Sequence, residues 1–174
     1  MRAFGELNRE QVASPNSRKR VRGEADSRRP DMKLGIKRVD ASLPLPEYKT
    51  KGAVAFDIYS REAKIIKPKT TELLPSNLII EVPKGFFLLI ASRSSIHKKG
   101  LLMINGVGIW DQDFNGPKDE WLVPLYNFVS KKVTIDKGER IAQGILIPIQ
   151  KVSWQEVGEI SKKSRGGLGS TGKK

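Results

Sequence analysis

The sequence predicts an all-β domain, an antiparallel barrel or jelly roll. Short runs rich in Val, Ile, Phe and Tyr recur along it, Pro, Gly, Asn and Asp punctuate them, and no amphipathic stretch of helical length alternates with them. In chain order the runs are MKLGIKRV from Met32, AVAFDIYS from Ala53, AKIIKP from Ala63, NLIIEVP from Asn77 and GFFLLIASR from Gly85. They continue with LLMINGVGIW from Leu101, EWLVPLYNF from Glu120, KKVTI from Lys131, RIAQGILIPI from Arg140 and SWQEV from Ser153. Only Ser94 to Lys99 invites a helical turn or two. Strands this short and this evenly punctuated favour closure into a barrel or jelly roll over a parallel α/β sheet.

With 174 residues and 38% hydrophobic content, the chain has room for one domain with a real core, plus tails. Cysteine is absent, so no disulfide framework exists, and His97 as the single histidine excludes a His/Cys metal site. No apolar run approaches the roughly 20 residues of a membrane helix, and the first residues lack the apolar stretch of a secretory signal. The expectation is a cytoplasmic protein without a membrane partner, or a nuclear one if the source is eukaryotic or viral. Thirty-two basic against 19 acidic residues give a net charge of +13, which favours polyanions such as nucleotides, nucleic acid or an anionic membrane surface.

Composition divides the chain into a tail at 1–31, a β domain at 32–160 and a C-terminal arm at 161–174. The tail is polar, with basic clusters at Arg18, Lys19, Arg20 and Arg22 and at Arg28 and Arg29, and reads as disordered. It is either a weak polyanion-binding arm or a merely solvated extension. The arm, SKKSRGGLGSTGKK, is too glycine-rich and basic to pack a core. Gly167, Gly169 and Gly172 match G-x-G-x-x-G, but no helix can follow, so a dinucleotide fold is excluded. What remains is an arm able to fold over a phosphate chain, or a frayed end.

Three stretches carry candidate chemistry. LLMINGVGIWDQDFNG reads as a hairpin in which Gly106 and Gly108, lacking Cβ atoms, let a flat ligand approach the backbone. Ile109 and Trp110 make the neighbourhood apolar, and Asp111 is then a carboxylate beside a dry pocket, suited to activating water. Asp111 and Asp113 are equally compatible with plain turn residues. In ASRSSIHKKG, Arg93, Ser94 and Ser95 end an apolar strand and form a phosphate-binding corner, or the serines cap the turn, which leaves Arg93 unexplained. In GERIAQGIL, period-two alternation puts Arg140 with Ala142 on one face and Ile141 with Gln143 on the other. Polar residues in so apolar a strand need partners, which a nucleotide, a subunit interface or a structural ion pair can supply.

These stretches, in this order, resemble the motifs of the trimeric dUTPase family. AVAFDIYS is similar to its first motif, ASRSSIHKKG to its second, NGVGIWDQDFNG to its third, GERIAQ to its fourth and GGLGSTG to its fifth. Five motifs in order, spanning about residues 33 to 172, are specific where a single one is not. The resemblance implies a jelly-roll-like distorted barrel (the β-clip, dUTPase-like fold) in a homotrimer whose active sites are shared between chains. It implies Mg²⁺-dependent hydrolysis of dUTP to dUMP and pyrophosphate, which limits uracil incorporation into DNA and supplies dUMP.

Residue by residue, the resemblance makes Asp111 the base for water attack on the α-phosphorus. Asn105, Gly106, Gly108 and the backbone at Trp110 would read uracil, with Phe114 and Leu168 against the sugar and base. Arg93, Ser94, Ser95 and Gln143 would hold phosphates, joined by Lys163, Arg165, Ser170 and Thr171 from the arm, while Asp57 and Arg140 organise the site. No direct protein ligand for Mg²⁺ is implied: the ion would ride on the substrate's phosphates and water, with Asp57 reached through water. The chain departs from the family pattern in having Phe114 for the usual Tyr, Leu168 for the usual Phe, Lys163 for the usual Arg and Ala55 for the usual Gly. A deaminase of the same superfamily acting on dCTP is the nearest rival, with Glu120 displaced from its base position; a non-catalytic nucleotide- or nucleic-acid-binding trimer is another.

Overall fold

A computed structural model describes residues 32–160 and 163–164. The tail at 1–31 lies outside the described residues, as do Arg165, Leu168, Ser170 and Thr171 of the arm. The strands are β1 (Gly35–Arg38), β2 (Phe56–Tyr59), β3 (Lys64–Ile66), β4 (Thr71–Pro75), β5 (Leu78–Glu81) and β6 (Phe86–Ser92). After a 3-10 turn at Ile96–Lys99 come β7 (Leu101–Met103), β8 (Val107–Trp110), β9 (Leu122–Asn127), β10 (Val133–Ile135) and β11 (Arg140–Pro148). Among the described residues no helix is long and apolar enough to cross a membrane.

Every ladder is antiparallel. Strands β2, β11, β6 and β8 form a four-stranded sheet, β4, β9 and β7 a three-stranded one, and β1 pairs with β5 and β3 with β10. Each sheet turns one face to a shared core: Ile80 from β5, Ile66 from β3, Leu74 from β4, Leu125 from β9 and Ile90 from β6 are almost fully buried. Burying each such side chain contributes about 1.5–3 kcal/mol, so the small sheets are held together through their common interior. The result is the all-β, jelly-roll-like distorted barrel that the strand pattern predicts.

Three local expectations fail. SWQEV forms no strand: Ser153–Val157 is exposed throughout and pairs with no other strand among the described residues. Conversely TELLP forms β4, although its pattern does not alternate and ends on Pro75; pairing with β9 supplies what propensity does not. Finally, β7 and β8 are not a ladder-paired hairpin: β7 pairs with β9 and β8 with β6, so the turn between them carries the chain from one sheet to the other.

Apolar side chains remain on the outer surface. On the three-stranded sheet Leu73, Leu102 and Leu122 point away from the core and are exposed, and Val107 and Ile109 do the same on β8. Beyond β11, Val152, Trp154, Val157 and Ile160 lie open, Trp154 at 93% exposure.

Candidate active site

The polar corner forms where β2, β11 and β6 lie side by side. Asp57 on β2 stands opposite Gln143 on β11, which stands opposite Ala91 on β6. Asp57 accepts a hydrogen bond from Arg93 Nε on one carboxylate oxygen at 2.9 Å and from Arg140 Nη1 on the other at 2.9 Å. Arg93 Nη1 also donates to the Arg140 carbonyl at 3.4 Å, and Gln143 Nε2 donates to the Ser92 carbonyl at 2.8 Å. The hydrogen bond to Asp57 pushes the Arg140 guanidinium further towards its charged form. Two guanidinium groups against one carboxylate leave the corner with a surplus positive charge, which suits an anion.

The strand alternation expected for GERIAQGIL is interrupted there. A β-bulge between Arg140 and Ala142 places Ile141 and Ala142 both in the core. The extra residue lets Arg140, opposite Tyr59, and Gln143, opposite Asp57, share the Asp57 face. The sequence carries no glycine or proline at the bulge to announce it.

Ser94 and Ser95 follow β6 and are exposed. Ser95 occupies the N-cap position of the 3-10 turn, yet its side chain makes no capping hydrogen bond. Capping therefore does not account for Ser95, and its hydroxyl is left for another partner.

The second cluster lies around β8. Gly108 and Trp110 point inward, while Val107 and Ile109 point outward. Trp110 is 1% exposed and stacked on Trp121, with ring centroids 5.4 Å apart and planes 20° apart. Its indole can offer a ligand nothing, so only its backbone could read a base. Gly108 likewise serves packing rather than ligand approach, because a Cβ there would stand 2.3 Å from the Trp121 ring. We expect Gly108→Ala to lower stability by about 1–3 kcal/mol through overpacking, read as a fall in the denaturation midpoint at unchanged slope. Gly106 differs: its φ is +70°, and open space lies where a Cβ would be. Asn105, beside it, is exposed in the turn and accepts from Val107 N at 2.8 Å through its carbonyl.

Asp111 is exposed, not beside a dry pocket, and edges a cavity of about 280 Å³ whose walls include Phe86, Phe87, Gln112 and Lys151. Among the described residues its carboxylate takes no hydrogen bond from the turn. Asp40 and Asp119 show what turn chemistry looks like: their carboxylates accept from Ser42 N at 2.8 Å and Gly116 N at 2.7 Å. Phe114 is 41% exposed with its ring edge-on to Trp110 at 6.2 Å, and its carbonyl accepts from Trp110 Nε1 at 2.8 Å. Lys163 is exposed.

A single chain does not bring the two clusters together. In the β6–β8 ladder Val107 lies opposite Ala91 and Trp110 opposite Leu88. Asp111 thus leaves the ladder at the Phe87 end and Arg93 at the Ser92 end. At about 3.3 Å per residue these ends stand roughly 20 Å apart along the strand. The Asn105–Gly106 turn falls at the Arg93 end.

Glu120 is occupied elsewhere. It accepts from Arg61 Nε at 2.9 and 3.1 Å and from Asn77 N at 2.8 Å, bracing the buried Asn77 turn. Among the described residues no group of three or more His, Cys, Asp or Glu could hold a metal ion. Two residues that shape the site escaped sequence reasoning: Trp121, brought to Gly108 by a long-range contact, and Gln112, whose side chain donates to the Phe86 carbonyl at 2.8 Å. Neither stands in a pattern that spacing could have flagged.

Comparison with known proteins joins these clusters into one family pattern. The dUTPase family model matches residues 41–172. A deoxyuridine 5'-triphosphate nucleotidohydrolase of Hydrogenobaculum sp. (strain Y04AAS1) is 39% identical over 147 residues, covering 82% of this chain and 100% of the relative. Another from Nautilia profundicola is 39% identical over 145 residues, with 82% and 100% covered. Among solved structures, the dUTPase from Streptococcus mutans superposes with a TM-score of 0.64 at 27% identity, covering 69% of this chain and 99% of that one. With its β barrel, its ordered motifs and relatives matched along their whole length, this chain belongs to the dUTPase family.

Proposed function

We propose that this chain hydrolyses dUTP to dUMP and pyrophosphate as a homotrimer, each active site drawing Asp111 from one copy and the Asp57–Arg93–Arg140 corner from another. The observation that carries this reading is the separation of the two clusters along the β6–β8 ladder: either half alone lacks what the reaction needs. The exposed apolar side chains on the outer sheet face, β8 and the segment after β11 give further copies something to cover.

In this arrangement Arg93, Ser94, Ser95 and Gln143 hold the phosphate chain, and Asp57 with Arg140 fixes the aim of Arg93. Asn105 and the backbone at Gly106 and Trp110 read the uracil edge, where a cytosine would leave donors and acceptors unpaired. Phe114, through its half-exposed ring, packs against deoxyribose. Asp111 takes a proton from water as its oxygen bonds to the α-phosphorus; the bond from that phosphorus to the bridging oxygen breaks, and pyrophosphate leaves. The donor set fits Mg²⁺ carried in by the substrate, since both Asp57 oxygens already accept from guanidinium groups. When bound, magnesium supplies charge neutralisation on the triphosphate.

The arm from 161 onward, with Lys163, Arg165, Leu168, Ser170 and Thr171, closes over the bound nucleotide. A chain ending at Lys162 is expected to keep the native mass of the full-length assembly but to lose about a hundredfold in turnover. Assays of pyrophosphate and ammonia release from dUTP, dCTP, dTTP and UTP in Mg²⁺ test the whole reading. Pyrophosphate from dUTP alone is expected; ammonia from dCTP, or no turnover of any nucleotide, would overturn it.

A further inference from the structure

The turn that carries Asp111 is fixed from both sides by side chains outside the family-like contacts already described. On one side, Trp110 Nε1 donates to the Phe114 carbonyl at 2.8 Å, while its ring lies stacked on Trp121. Trp121 is itself tied to the core: its N–H donates to the Leu78 carbonyl at 3.3 Å and its carbonyl accepts from Ser76 N at 2.9 Å. On the other side, Gln112 Nε2 donates to the carbonyl of Phe86 at 2.8 Å, at the start of β6. Between these two anchors the turn's own backbone offers only a long bond, from Phe114 N to the Asp111 carbonyl at 3.4 Å.

We infer that Trp110 and Gln112 are positioning residues for the reaction: together they hold the Asp111–Phe114 turn so that the Asp111 carboxylate points at the attacking water. Three features support this. Asp111 is exposed and its carboxylate takes no hydrogen bond from the turn, whose remaining internal bonds are the long one from Phe114 N and one from Asn115 Nδ2 to the Gln112 carbonyl at 3.1 Å. The two anchors grip the residues that flank it on either side. Trp110 is almost fully buried, so its indole N–H, unable to reach water, spends its single donor on this turn. A base whose orientation is set by its neighbours loses rate when they let go, because misplacement by about 1 Å costs up to a hundredfold.

The inference rests on the reading of Asp111 as the general base, and its test separates the two. Gln112→Met keeps the side-chain length and removes the donor; Trp110→Phe keeps an aromatic ring and removes the indole N–H. For each, for the double variant and for Asp111→Asn, kcat and KM for dUTP in Mg²⁺ would be measured. The Kd of the non-hydrolysable α,β-imido analogue of dUTP and the native mass would be measured alongside. Gln112→Met is expected to lower kcat about tenfold with KM, analogue affinity and mass unchanged, and the double variant about a hundredfold. A structural role alone would not split kcat from analogue affinity in this way.

If Gln112→Met and the double variant turn over like the parent while Asp111→Asn is inactive, the positioning role is wrong and the base stands. If Asp111→Asn itself turns over normally, the base reading falls. A kcat that drops only in step with loss of assembly likewise overturns the inference, and should Trp110→Phe fail to assemble, Gln112→Met decides.

Discussion

Asp111→Asn should lower dUTP turnover by about 10²–10⁴-fold while leaving affinity for the imido analogue close to that of the parent chain. The exchange is nearly isosteric and the side chain is exposed, without a hydrogen bond to the turn among the described residues, so the fold has little to lose. What disappears is the capacity to accept a proton. The amide oxygen is far too weak a base to take one from water, whereas a carboxylate can serve as a general base. In the proposed arrangement binding rests chiefly on the Asp57–Arg93–Arg140 corner and the Asn105–Gly106 turn, which the substitution leaves untouched. Steady-state kinetics alongside calorimetric titration of the analogue separate the two effects. Loss of analogue binding in step with turnover would make Asp111 a binding residue.

Asp57→Asn is expected to cut kcat/KM for dUTP by about 10- to 100-fold, the equivalent of about 1.4–2.8 kcal/mol. An amide cannot accept from two guanidinium groups as a carboxylate does, and its own N–H group would face one of them. The side chains of Arg93 and Arg140 are 24% and 41% exposed, so water screens the charges released and the stability loss stays below the 3–5 kcal/mol of a fully buried ion pair. The kinetic sign is diagnostic. Removing a negative charge beside a phosphate site should by Coulomb attraction alone tighten binding and lower KM. If Asp57 acts by aiming the guanidinium groups, KM rises instead, because an unaimed Arg loses its fork geometry. A lowered KM would show that charge count, and not orientation, governs this corner.

Local composition made the fold class and much of the polar corner legible. The strands at AVAFDIYS, GFFLLIASR and GERIAQGIL announced themselves by β-branched and aromatic runs, and polar residues in or at the end of apolar strands marked Arg93, Arg140 and Gln143, whereas Asp57 was pointed to by the family resemblance alone. Features decided by tertiary contact could not be read that way. The bulge at Ile141 depends on what the core can accept; it has no local signature, and it reversed the expected pairing of faces. Gly108 suggested an open backbone, whereas Trp121, which arrives from a distant part of the sequence, fills the space. The stretch Leu101–Trp110 looked like a hairpin because its turn is short, yet its two halves find better partners in separate sheets. β4 was missed for the converse reason: its residues have little strand preference of their own and form a strand through β9.

The proposed sharing of the site between copies is tested most directly by combining two inactive chains. Arg93→Ala removes the phosphate corner's leading cation and Asp111→Asn removes the base, and the two would be co-expressed so that mixed trimers form. Where each site takes Asp111 from one copy and Arg93 from another, random assembly restores both intact residues in about one quarter of the sites, and dUTP turnover returns to about that fraction of the parent rate. Mixed trimers, verified by native mass, that remain as inactive as either parent variant would contradict a site built from two copies.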